Sequence, residues 1–202
     1  GSTTGATRFF IIQKNSSHLK LFLNNTDNNM TYTYPAAADA NALGVGTTLQ
    51  RNVTTVGNQS VVLGVGVHNY TVFSSGDANF SAGNVSRFAT VNKGTPTLTL
   101  TISPSVSVSA GTQVTITCSV SVFSQSTSPT LTLTRDGIVV SNPEVTTYNS
   151  GVFEYICSSA STANYSTSST SEKLTVASGG RVTPRTIISE VPGGVQITIP
   201  SI

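Results

Sequence analysis

The sequence predicts an all-β chain: two tandem β-sandwiches, with an extra strand before them and a short β tail after them. Three observations carry this. Ser and Thr supply roughly three residues in ten, and β-branched residues alternate with polar ones through most of the chain. Two strands with a tyrosine two places before a Val or Cys recur 85 positions apart, as Gly66-Val67-His68-Asn69-Tyr70-Thr71-Val72 and Gly151-Val152-Phe153-Glu154-Tyr155-Ile156-Cys157. Finally, 202 residues are enough for two sandwiches of ordinary size, and apolar content is 37%.

The tyrosine strand gives the sandwich its type. In an immunoglobulin-like fold a Tyr two places before a core position packs under a sheet corner and anchors its hydroxyl a few residues upstream. Tyr155 and Cys157 share one face because side chains alternate along a strand. The fold class is therefore two tandem immunoglobulin-like β-sandwiches. Without Trp, the core rests on Val, Ile, Leu, Tyr and Phe.

Taken in order, residues 1–14 form an N-terminal strand around Arg8, Phe9, Phe10, Ile11 and Ile12. They resemble Arg87-Phe88-Ala89-Thr90-Val91-Asn92-Lys93, 79 positions later, which closes the first full repeat. Two readings stand: a strand donated to another molecule, or the last strand of a preceding repeat. The first repeat spans 15–93 and opens on alternating Leu19, Leu21 and Leu23. Thr31 to Tyr34 aligns with Thr115 to Cys118, which puts Tyr34 in the place of Cys118 and Val72 in that of Cys157. Ala36 to Gly46 reads as a loop. The second repeat spans 94–178, with Asp136-Gly137 as a hairpin turn. The loop Gly76 to Ser81 matches Ser161 to Ser166. Residues 179–202 read as two short strands around Pro192-Gly193-Gly194, a tail assigned to neither repeat.

Cys118 and Cys157, the only cysteines, enclose a loop of about forty residues whose bridging would add about 4 kcal/mol in the chain-entropy model. Such a bridge places the chain in an oxidising, extracellular setting.

The corner strands, the Gly-Asp-Ala-Asn-Phe-Ser loop and the linker Asn92-Lys93-Gly94-Thr95-Pro96 together resemble tandem Ig-like repeats of archaeal and bacterial cell-surface proteins. The resemblance implies a spacer, stalk, filament or adhesin role. The cysteines missing from the first repeat depart from its disulfide-bearing form.

No constellation in the sequence implies an enzyme. His18, on a strand position that reads as exposed, and His68 lie near no metal-ligand set. No nucleophile elbow, calcium loop or paired carboxylates stand out. No cofactor is implied. The ten basic and eight acidic side chains are scattered, which gives no footprint for nucleic acid. No apolar run is long enough for a membrane helix. Asn-x-Ser/Thr occurs at Asn15, Asn24, Asn29, Asn52, Asn58, Asn69, Asn79, Asn84 and Asn164, which makes N-glycans an expected partner chemistry. The expected role is structural and extracellular: a glycosylated subunit of a surface filament, stalk or envelope layer, associating with itself or with neighbouring surface domains through strand pairing. The alternative is an adhesive or glycan-binding module using loops such as Ala36–Gly46 and Phe123–Pro129.

Overall fold

The computed structural model describes residues 1, 5, 8–15, 18–122, 127–179, 187–191 and 194–198, the last two stretches by backbone alone. Every regular element among them is a strand, and among the described residues no helix is long and apolar enough to cross a membrane.

The first repeat holds eight strands: β1 (Lys20–Leu23), β2 (Met30–Thr33), β3 (Ala37–Leu43), β4 (Thr47–Arg51), β5 (Thr54–Val56), β6 (Gln59–Val62), β7 (Gly66–Ser74) and β8 (Gly83–Asn92). They form a three-stranded sheet, β1-β3-β6, and a five-stranded sheet, β2-β8-β7-β4-β5. The second repeat reproduces this with β9 (Thr97–Ser103), β10 (Ser107–Ser109), β11 (Gln113–Ser121), β12 (Leu131–Arg135), β13 (Ile138–Val140), β14 (Glu144–Thr147), β15 (Gly151–Ser159) and β16 (Ser168–Ala177). Its sheets are β14-β11-β9 and β10-β16-β15-β12-β13. In both repeats one strand pairs parallel to the last, β2 with β8 and β10 with β16, among antiparallel neighbours. The tail forms an antiparallel pair, β17 (Ile187–Val191) with β18 (Gly194–Thr198).

The chain divides into two compact units. One holds residues 1–98 together with 120–131 and 158–169, and the other holds 99–119, 132–157 and 170–202. In the first repeat, Leu21, Leu23, Leu49, Tyr70, Val72, Ala89 and Val91 are buried. The matching core of the second is Val114, Ile116, Cys118, Leu133, Tyr155, Cys157, Leu174 and Val176. Each set alternates along its strands, as a sandwich with one buried face per sheet requires.

Two expectations change. Ala36–Gly46 is not a loop: β3 fills it, with Ala38, Ala40 and Ala42 buried at period two. Tyr34 therefore does not stand in for Cys118. The pairings Ala40↔Gln59 and Ile116↔Glu144 put Ala40 opposite the start of β6 as Ile116 is opposite the start of β14, so Ala42 holds the place of Cys118. Cys118 and Cys157 are bridged, with Cα atoms 5.4 Å apart. In the first repeat the small Ala42 and the buried Val72 occupy those two places.

The hairpin turns follow their chemistry. Asp136 and Gly137 both have positive φ (49° and 81°), as the tight turn joining β12 to β13 demands. In the matching turn Asn52 and Val53 do the same, at 48° and 64°. Val53 is thus a β-branched side chain held in the left-handed region, where its Cβ is crowded.

Candidate functional site

Residues 8–14 belong to no sheet of the chain. Phe9, Phe10 and Ile11 are each 88% exposed and Ile12 is 93% exposed, an uninterrupted apolar run. Among the described residues, its hydrogen bonds lie at its end. Lys14 Nζ donates to the Asp77 carbonyl at 2.6 Å. Asn15 N–H donates to Asn79 O (3.0 Å), and Ser81 N–H donates to Asn15 O (3.2 Å).

This anchor has a counterpart within the same compact unit. Lys93 Nζ donates to the Thr162 carbonyl at 2.6 Å. Gly94 N–H donates to Asn164 O, and Ser166 N–H donates to Gly94 O. Lys14-Asn15 therefore meets the loop 76–81 as Lys93-Gly94 meets the loop 161–166. The 79-residue offset seen in the sequence is a structural equivalence at this anchor. Upstream of it the two segments differ. Residues 87–92 are strand β8, in which Ala89 and Val91 are buried; at the same offset stand Phe10 and Ile12, both exposed.

The receiving loop is built by its own side chains. Asp77 Oδ1 accepts from the N–H groups of Asn79 and Phe80, each at 2.8 Å. Those two backbone donors hold its carboxyl below the usual Asp range. Thr162 Oγ1 takes the same role toward Asn164 and Tyr165. His18, which reads as exposed from its strand position, instead packs on Phe80 with ring centroids 4.6 Å apart and the planes tilted by 38°, and both its ring nitrogens are buried without a partner among the described residues.

The corner tyrosines are the second cluster. Both are fully buried, and their hydroxyls meet side chains rather than the upstream backbone expected of a tyrosine corner. Tyr155 OH donates to Glu144 Oε2 at 2.7 Å and lies 2.7 Å from Tyr148 OH. Glu144 Oε1 also meets Arg135 Nη1, which donates to Tyr148 OH at 2.6 Å. Burial first, then these hydrogen bonds, push the Tyr155 hydroxyl far up from its ordinary value, so it stays protonated and donating. In the first repeat Gln59 Nε2 donates to Tyr70 OH at 3.1 Å. Gln59 replaces Glu144, and Arg51 Nη1, matching Arg135, is buried with no partner among the described residues. Such a network fixes a sheet end, and nothing in it presents a nucleophile or base to a cleft.

The nine sequons separate by what their side chains already do. Asn24, Asn29, Asn58 and Asn164 accept hydrogen bonds at Oδ1 from the N–H groups of Asp39, Phe88, Ala42 and Val65. Asn52 accepts from Asn69 N–H, and its Nδ2 faces His68 Nδ1 at 3.4 Å. Asn15 is exposed, with Ser16 and Ser17 outside the described residues. Asn69, Asn79 and Asn84 are exposed, with no side-chain hydrogen bond among the described residues. Of the loop Phe123–Pro129, residues 123–126 lie outside the described ones, as does Thr7. No group of three or more His, Cys, Asp or Glu side chains that could hold a metal occurs among the described residues.

No protein-family model and no curated protein matches the chain. Among solved structures, one of fibronectin(III)-like modules of CbhA from Clostridium thermocellum is similar over 82% of this chain and 97% of that one, at 12% identity and a TM-score of 0.32. Likeness at that level carries no argument. The chain is an all-β protein of two β-sandwich repeats, with a disulfide in the second, a cross-link that persists in oxidising compartments.

Proposed function

We propose that this chain is a structural, non-enzymatic extracellular subunit of a surface filament, stalk or envelope layer, glycosylated and assembled through strand pairing by residues 8–13. The observation that carries this reading is the exposed run Phe9-Phe10-Ile11-Ile12 at the positions equivalent to strand β8. At those positions Phe10 and Ile12 correspond to core residues. Burying both in a partner would contribute about 3–6 kcal/mol before ordering losses. Phe9 and Ile11 extend the apolar surface to the other face, as suits a strand covered on both sides.

Each repeat already holds the strand that residues 8–13 would duplicate, β8 in one and β16 in the other. The acceptor is therefore a sheet edge or the β17–β18 pair of another copy, where unpaired backbone groups await a neighbour. Electron microscopy of concentrated full-length protein tests the reading. Fibres or sheets with a regular axial repeat are expected, and a monodisperse monomer at every concentration would refute it. The adhesive alternative loses one of its two candidate loops to β3, and a glycan array without hits would remove it.

A further inference from the structure

We infer that Asn69 and Asn84 are a matched pair of N-glycan attachment sites, each built with a cross-strand phenylalanine that receives the face of the first sugar. The inference rests on the extracellular reading above and deepens it. Strands β8 and β7 are the second and third strands of the five-stranded sheet, and their register sets Asn69 opposite Phe88 and Phe73 opposite Asn84. Buried Tyr70, Val72 and Ala89 face the core, so all four residues project from the outer face. Directly opposed residues have Cβ atoms about 5 Å apart, within reach of a sugar ring linked to one and an aromatic ring on the other.

Four further observations support it. Both asparagines are exposed and free of side-chain hydrogen bonds among the described residues, whereas five of the other sequon side chains are engaged. Phe73 and Phe88 remain 38% and 44% exposed on a sheet face where hydroxyls would serve solubility. Between the two pairs, Thr71 Oγ and Ser86 Oγ bond each other at 2.8 Å, which leaves the two Asn–Phe pairs flanking them. The same four places in the second repeat carry Glu154, Ser158, Ser169 and Lys173, with neither a sequon nor an aromatic. Asn79 likewise has no side-chain hydrogen bond among the described residues, yet it sits in the loop between β7 and β8 beside Lys14 and Asn15 rather than opposite a cross-strand phenylalanine.

The chemistry balances with a polyprenyl-diphosphate-linked oligosaccharide as donor. The Asn Nδ2–C1 bond forms as the C1–O bond to the diphosphate breaks. Nδ2 gives up one proton, and the lipid diphosphate leaves. The C–H face of the first pyranose then covers the Phe ring, whose negative π face attracts the polarised C–H groups.

The test is to secrete the full chain from a eukaryotic host that installs N-acetylglucosamine-linked glycans, and to map occupancy by glycopeptide mass spectrometry. Asn69 and Asn84 are expected to be occupied. Phe73→Ser is expected to lower Tm of the glycosylated protein by about 4 °C more than that of the same chain made without glycans in bacteria, and Phe73→Tyr to restore it. Glycans on other sequons with Asn69 and Asn84 bare would overturn the pairing and leave the glycoprotein reading standing. No glycan at any sequon would overturn both. An equal Tm loss with and without glycans would show the phenylalanines to be purely structural, and a loss of self-association on Phe73→Ser in the bacterial material would make this face a protein interface; either result overturns the proposal.

Discussion

The two repeats share a strand order and solve the same mechanical problem in different ways. In the second, the sheets are cross-linked by Cys118–Cys157, and the corner Tyr155 is held by Glu144, Tyr148 and Arg135. In the first, Ala42 and Val72 take the places of the cysteines, and the neutral Gln59 meets Tyr70. Where the first repeat lacks the bridge and the corner carboxylate, its core holds Tyr32 and Tyr34 beside the corner Tyr70. The lesson is that the corner strand needs an anchor of some kind, while the chemistry of the anchor is free to vary.

The sharpest way to break this comparison is to remove the bridge. Cys157→Ala closes no loop of 39 residues in the unfolded chain and is expected to lower the stability of the second repeat by about 4 kcal/mol. Calorimetry should show one transition falling while the other holds. Exchanging the corner partners comes next. Glu144→Gln leaves Arg135 without its carboxylate and should destabilise the second repeat by about 2 kcal/mol, the partner of a half-exposed cation being worth less than a fully buried one. The reciprocal Gln59→Glu should stabilise the first by about 1 kcal/mol, because it offers a carboxylate to both Tyr70 and Arg51. Denaturant titration of both variants reads the two signs.

A smaller effect is expected at the hairpin turns. Val53 is 91% exposed and held at φ 64°, where the second repeat has Gly137. Val53→Gly should raise the stability of the first repeat by about 1 kcal/mol, with the relief of strain exceeding the added freedom of the unfolded chain. The smallest effect is pH-dependent. Asp77 has its folded pKa lowered by two backbone donors, so its contribution is present above the ordinary Asp value and is lost as pH falls through the folded one. Asp77→Asn should therefore flatten only the acid limb, below about pH 4, of a stability profile measured by thermal melts.

Much of this fold was legible in the sequence, for physical reasons that differ by residue. Tyr70 and Tyr155 announce corners because a large amphipathic ring in a β-branched run has few other places to go. Asp136-Gly137 declares a turn through its backbone preferences. Strand β3 stayed hidden because Ala38, Ala40 and Ala42 carry a buried face without the bulk or branching that marks a strand, and that silence shifted the expected place of Cys118 onto Tyr34. At the candidate site, the 79-residue echo located residues 8–14, since backbone anchors repeat with their Lys side chains. Alternation beside Tyr70 points Asn69 outward and the repeat motif gives Asn164 a turn of its own to bond, but nothing in the sequons separated Asn84 from Asn58. That distinction depends on which backbone N–H each carboxamide meets and on cross-strand register, neither of which is local in sequence.

The central claim, assembly through residues 8–13, is tested most directly by deleting residues 1–13 and comparing the truncated and full-length proteins by sedimentation velocity and electron microscopy. Two folded repeats with unchanged thermal transitions and no fibres are expected, with a synthetic peptide of residues 1–14 binding to full-length assemblies' free ends and blocking their growth. Fibres that form equally well from the truncated chain would contradict the account.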